Sequence, residues 1–122
     1  MTDADAIVRE VMQDRRRANL GDAYINFIYS LALTQIHGAP QGVKVSDRIL
    51  SDAFRLAGLR SYLGTRVNRK DLANASEALL IEAYQRGLLS IEESVKVILQ
   101  DSERPVSGLS NLLKLAVERL SR

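Results

Sequence analysis

Three polar residues in otherwise apolar segments are the strongest candidates for chemistry in this sequence. Asn74 and Glu77 lie in LANASEALLIEAYQRG, residues 72–87, and their spacing of three places both side chains on one face of a helix. Asp22 lies in NLGDAYINFIYSLAL, residues 19–33, where the pattern indicates the start of another apolar helix. If these helices cross, the three side chains converge, and oxygen ligands clustered in this way suit a hard divalent cation such as Mg²⁺. Such an ion activates water for phosphodiester cleavage.

A structural role explains the same three residues. Asp22 would then be an acid stabilised by the positive end of the helix dipole, and Asn74 and Glu77 would hydrogen-bond to neighbouring residues. Spacing alone favours this second interpretation.

The elements that position these residues are predicted to be helices throughout. Apolar residues recur at spacings of three and four, and no segment alternates as a half-buried strand does. We expect one all-α domain over residues 1–122, a bundle of about six or seven helices. The first helix begins near Thr2 or Asp3 and ends at the basic run 15–17, whose charges complement a helix C-terminus. The second helix covers about residues 19–37, and the third is capped by Ser46 and closed by Gly58. The fourth covers about residues 69–86. The fifth begins with a capping box of Ser90 and Glu93 and ends near residue 100, and the last follows Pro105.

Composition and charge exclude several classes of protein. The sequence has no cysteine, which rules out disulfides and thiolate metal sites and favours a cytoplasmic location. No apolar run is long enough to span a membrane, and the opening MTDADAIVRE has no apolar core of an export signal. Residues 43–70 carry seven basic and two acidic side chains, whereas residues 71–104 carry seven acidic and three basic ones. This segregation suits a polyanionic partner, although a solvated helix face explains many such runs.

Three segments, in order, resemble the catalytic domain of the ribonuclease III family. Leu20-Gly21-Asp22 corresponds to the L-G-D of that family's signature helix, and LANASEALL, residues 72–80, corresponds to its later motif L-A-D-x-x-E-A-L-I. Between them, VSDRILSDAFRLAGL, residues 45–59, matches a third family segment. The similarity covers about residues 18–100 and is closest to compact archaeal ribonuclease III-like proteins without a double-stranded-RNA-binding domain. It implies the all-helical ribonuclease III fold.

The resemblance also assigns a site and shows where this sequence departs from the family. Members that cleave double-stranded RNA hold Mg²⁺ with four acids, and the matching positions here are Ala18, Asp22, Asn74 and Glu77. Two catalytic acids, Asp22 and Glu77, therefore remain, because Ala18 offers no ligand and Asn74 offers an uncharged oxygen. Asp71 is a candidate replacement metal ligand, although a first-turn helix acid is its favoured interpretation. Asp14 or Glu10 could also approach from the first helix.

The resemblance further implies a homodimer, formed largely by the signature helix, that binds double-stranded RNA across its two-fold axis. The candidate phosphate contacts are Arg15, Arg16, Arg17, Arg66, Arg69 and Lys70. His37 is expected at the surface, and Tyr24, Phe27 and Tyr29 are expected in the core or the dimer interface rather than stacked on bases.

Three functions follow from these observations. The first is a protein that binds double-stranded or structured RNA through a degenerate catalytic site, in RNA processing or in a ribonucleoprotein. The second is an active Mg²⁺-dependent endoribonuclease with a rearranged acidic site. The third is a helical protein–protein adaptor that has lost RNA binding.

Overall fold

A computed structural model describes residues 2–122, and it confirms the all-α prediction. The six helices are α1 (Asp3–Met12), α2 (Arg15–His37), α3 (Asp47–Leu56), α4 (Arg69–Gln85), α5 (Ile91–Leu99) and α6 (Pro105–Leu120), with one 3₁₀ turn at Arg60–Tyr62. Among these residues no strand occurs. None of the six helices combines the length and the apolar character needed to cross a membrane.

Local capping explains most of the helix boundaries. The Thr2 hydroxyl accepts a hydrogen bond from the backbone N–H of Asp5, and the Ser46 hydroxyl accepts one from that of Ile49. These bonds satisfy donors that the first turn of a helix leaves unpaired. Gly58 and Gly87 follow α3 and α4 with φ angles of 75° and 72°, the left-handed conformation that ends a helix most easily with glycine.

The start of α2 differs from the sequence prediction. This helix begins at Arg15 rather than near residue 19, so the three arginines open α2 instead of closing α1. Asp14 is the reason, because its carboxylate accepts hydrogen bonds from the backbone N–H groups of Arg16 and Arg17. The interpretation of the arginines as a helix C-terminus was therefore wrong. Asp22 consequently lies inside α2, not at its first turn, which removes the helix dipole as the explanation for its charge.

The predicted capping box of α5 is only half formed. The Ser90 hydroxyl accepts from the backbone N–H of Glu93 as expected. The Glu93 carboxylate, however, accepts two hydrogen bonds from the Arg119 guanidinium, at 2.5 and 2.6 Å. A bidentate ion pair of this kind joins α5 to α6.

Helix α4 forms the centre of the bundle and packs against α1, α2, α3 and α6. From Leu72 to Ala83 every residue except Asn74 is buried, so α4 lacks the polar face that surface helices have. Two of the buried residues are acids, Glu77 and Glu82. A buried carboxyl group must be either ion-paired or protonated, and Glu77 and Glu82 differ in which of these two states they adopt.

Candidate functional site

Helices α2 and α4 touch at Gly21, beside the candidate acids. A Cβ atom added to Gly21 would lie 2.1 Å from the backbone carbonyl oxygen of Glu77, far inside van der Waals contact. Only glycine therefore permits this approach of the two backbones. The contact brings the next residue of α2, Asp22, to Glu77 of α4, so the two helices do cross where the sequence places its two acids.

Glu77 and Asp22 form a carboxyl pair. Glu77 is only 3% exposed, and this burial, with the hydrogen bond to Asp22, raises its pKa to about 8. The hydrogen bond from Glu77 in turn lowers the pKa of Asp22, and hydrogen bonds from Lys44 and Asn26 add to that effect. At neutral pH the pair therefore carries one proton, held on Glu77, and one negative charge, held on Asp22.

Two lysines compensate the acids of this cleft. The Lys44 ammonium lies 3.2 and 3.3 Å from the two carboxylate oxygens of Asp22. The Lys70 ammonium lies 3.3 Å from Asp47, the first residue of α3. Sequence reasoning missed both Lys44 and Asp47, and only the excess of basic residues over 43–70 pointed toward them.

Asn26 ties the loop before α3 to the acid pair. Its side-chain N–H₂ donates to Asp22 at 3.3 Å, and its side-chain oxygen accepts from the backbone N–H of Val45 at 2.7 Å. The loop that carries Lys44 is thereby held over Asp22. Asn26 lies one turn after Asp22 on α2, a spacing that could have identified it as a partner.

The cleft around these groups has a volume of about 410 Å³. It is lined by Ala18, Asn19, Asp22, Lys44, Ser46, Asp47, Lys70, Asn74 and Glu77. The four positions that the resemblance assigns to metal-binding acids thus line one cleft, although only two of them are acids here. Ala18 is buried and contributes a methyl group, and Asn74 is half-buried and contributes an amide.

The three acids considered as replacements lie elsewhere. Asp71 forms a capping box with Asn68: its carboxylate accepts from the Asn68 backbone N–H at 3.0 Å, and its own N–H donates to the Asn68 side chain at 2.9 Å. Asp14 caps α2 and pairs with Arg17. Asp14 and Asp71 line a second, smaller cavity that shares Asn74 with the cleft, and Glu10 is exposed on α1.

These side chains fit a divalent cation poorly. Among residues 2–122 no three acidic or histidine side chains lie close enough together to hold a metal ion. The charge of Asp22 is already balanced by Lys44, and Glu77 is protonated near neutral pH. Two carboxyl groups in this state lack the negative charge that draws in Mg²⁺.

The six predicted phosphate contacts fall into two groups. Arg15, Arg16, Arg66 and Arg69 are exposed and form no ion pair with another described residue. Arg17 instead pairs with Asp14 and with the buried Glu82, whose carboxylate also pairs with Arg86, and Lys70 pairs with Asp47. The four exposed arginines lie on the first turns of α2 and α4 and on the loop before α4.

The aromatic residues of α2 differ in their exposure to solvent. Tyr24 and Tyr29 are buried, and the ring of Tyr24 packs against Tyr84 with centroids 5.0 Å apart. Phe27 is 53% exposed and lies outside the core. His37 is the last residue of α2 and is exposed, as expected.

Comparison with known proteins agrees with this geometry. No curated protein matches the sequence. The family model described as ribonuclease III matches residues 15–119, which include α2 to α5, nearly all of α6 and every residue of the cleft. A match over most of the chain establishes the family, and family membership indicates a function related to RNA. This chain belongs to the ribonuclease III family.

Proposed function

We propose that this protein binds double-stranded or structured RNA without hydrolysing it, in RNA processing or as part of a ribonucleoprotein. The observation that carries the proposal is that only two of the four acid positions in the cleft hold an acid, and that one of these, Asp22, pairs with the Lys44 ammonium at 3.2 and 3.3 Å. Burial and the neighbouring Asp22 also raise the pKa of the other, Glu77, to about 8. The acid pair is thus neutralised by the protein's own groups. A site that cleaves RNA needs negative charge available to hold a catalytic cation, and this cleft has none to spare.

The exposed arginines supply the RNA-binding surface. Arg15, Arg16, Arg66 and Arg69 carry charges that no described acid balances, so they are available to phosphate groups. Contacts of this kind recognise the shape and charge of RNA rather than its sequence. Each neutralised phosphate makes the slope of log affinity against log salt concentration more negative by about 0.7–0.9. Four contacts therefore predict a slope of roughly −3.

The homodimer belongs to the same proposal. Leu20 and Phe27 are 49% and 53% exposed and lie two turns apart on α2, with half-buried Leu31 one turn further along the same face. An apolar groove runs beside this face and includes Pro40 and Val43. A second copy of α2 would bury this apolar face.

The test is incubation of the purified protein with a long RNA duplex, with and without Mg²⁺, reading both retention on a native gel and fragment length. We expect retention that weakens as salt rises and fragments of unchanged length under both conditions. Arg66→Ala with Arg69→Ala should reduce the salt slope by about 1.5. The charge-matched control is Lys96→Ala with Lys114→Ala on α5 and α6, helices that contribute no residue to the cleft.

An active endoribonuclease is the second candidate, and the placement of Asp22 opposite Glu77 in an open cleft favours it. An active enzyme must shorten the RNA duplex when Mg²⁺ is present. Either Asp22→Ala or Glu77→Ala must abolish that cleavage. If the protein retains no RNA at any salt concentration, the protein–protein adaptor is the remaining candidate function.

A further inference from the structure

The second cavity, next to the acid cleft, has the chemistry of a nucleobase site. Its volume is about 270 Å³, and it lies between the α1–α2 turn and the loop before α4. Three of its lining side chains are apolar, Met12, Leu63 and Val67, and the first two are buried. Pockets for planar organic groups combine an apolar wall with a few polar side chains at the edge.

The rim of this cavity has unused hydrogen-bonding capacity. The side chains of Gln13, Arg15 and Asn74 line it and bond to no other residue within 2–122. Asp71 uses one carboxylate oxygen to accept from the Asn68 backbone, and its other oxygen has no partner among the described residues. Two amides, a guanidinium and a carboxylate oxygen are therefore free beside the three apolar side chains, whereas Asp14 is already bonded to Arg16 and Arg17. The free groups match the polar edge of a base, and the apolar side chains match its faces.

The position of the cavity connects it to the proposed RNA surface. Asn74 lines both the cavity and the acid cleft, and Arg15 belongs to the cavity rim as well as to the exposed arginines. Arg66 precedes the lining residue Val67 and Arg69 follows it by two positions, and neither forms an ion pair with another described residue. An RNA backbone held at Arg15 would therefore lie at the edge of the cavity.

We propose that this cavity, lined by Met12, Gln13, Asp14, Arg15, Leu63, Val67, Asp71 and Asn74, binds one unpaired base extruded from a structured RNA. The inference rests on the proposed RNA binding and narrows its substrate class to RNA with a bulge or an open loop. A base in an uninterrupted duplex is stacked and paired and cannot enter. Asp71 favours a base edge that donates hydrogen bonds, and guanine offers its ring N–H and amino group there.

The test compares two RNA helices that are identical except for one bulged guanosine, with affinity measured by fluorescence anisotropy at a fixed low salt concentration. Wild-type protein should bind the bulged RNA about tenfold more tightly, the gain typical of capturing one base. Val67→Phe fills the cavity, so it should reduce this difference to less than about twofold while leaving duplex affinity unchanged. Arg66→Ala with Arg69→Ala should weaken binding of both RNAs equally.

A second variant guards against a folding defect in Val67→Phe. Asp71→Asn keeps an oxygen for the bond from Asn68 but loses the charge that faces the cavity, and it should lower the preference for the bulged RNA several-fold. Equal wild-type affinity for the two RNAs, or an unchanged preference in both folded variants, would overturn the base site and leave RNA binding intact. Failure to bind either RNA would overturn the proposed function as well.

Discussion

Glu77 and Glu82 show at the residue scale how one helix handles two buried acids differently. Glu82 forms ion pairs with two guanidinium groups, Arg17 at 3.4 Å and Arg86 at 3.1 Å. Glu77 faces another carboxylate, Asp22, and burial and that neighbour keep it protonated. The difference arises from the partner each side chain meets rather than from its burial, since both are almost inaccessible to solvent.

The protonation of Glu77 makes stability depend on pH. The folded chain keeps this proton up to about pH 8, whereas the unfolded chain releases it near the ordinary value of 4.5. The free energy of unfolding should therefore fall as pH rises through this window. Glu77→Gln, which is neutral at every pH, should flatten that fall and gain on the order of 4 kcal/mol over wild type at pH 8. Denaturant unfolding at pH 5, 6.5 and 8 measures both effects.

Glu82→Gln is the matched control on the same helix. This substitution weakens the ion pairs with Arg17 and Arg86, so it should destabilise the protein by about 2 kcal/mol at pH 8. If Glu77→Gln were destabilising by a similar amount at pH 8, Glu77 would be ionised in the folded protein, contrary to our interpretation.

At the scale of elements, the site exists because α2 and α4 touch at one glycine. Gly21→Ala would normally stabilise the interior of a helix by up to about 1 kcal/mol. Here the new methyl group would meet the Glu77 backbone at 2.1 Å, so the helices must separate. We expect a loss of about 3 kcal/mol in the free energy of unfolding. Gly64→Ala, which meets nothing within 4 Å, should change it by less than about 0.5 kcal/mol.

Sequence reasoning predicted those elements whose signals are local. Ser46 and Gly58 were identified correctly because each acts on residues within three or four positions of itself. The start of α2 was missed because a run of arginines fits the end of one helix as well as the beginning of the next. The Asp14 cap decides between them locally, and the ion pair of Arg17 with Glu82 supports the outcome from a distant part of the chain.

The site was only partly predictable for the same reason. Polar character within apolar segments identified Asp22 and Glu77, and the resemblance assigned them as acids of the site, but their contact depends on how closely two helices approach, which periodicity does not specify. The contacts of Lys44 with Asp22 and of Lys70 with Asp47 join residues far apart in the chain. No spacing rule indicates that a lysine, rather than a cation, will balance a given acid.

At the scale of the whole molecule, the apolar face of α2 determines the proposed assembly. Phe27→Asp places a charge at the centre of that face, so we expect the dimer to dissociate into monomers with unchanged helical content. Ile7→Asp is the control, because Ile7 is 41% exposed but lies on α1, away from that face. Sedimentation velocity distinguishes the outcomes. Monomeric wild-type protein, or dissociation by both variants alike, would contradict this assembly.

The central claim is that the acid pair is neutralised by a shared proton and by Lys44, not by a divalent cation. A pH titration of the Glu77 side-chain carboxyl carbon by NMR tests it most directly, with Glu77→Gln assigning the signal. We predict an apparent pKa near 8 that millimolar Mg²⁺ leaves unchanged. An apparent pKa near the ordinary value of 4.5, or a pKa that Mg²⁺ lowers, would contradict the claim that a proton and Lys44 neutralise the acid pair.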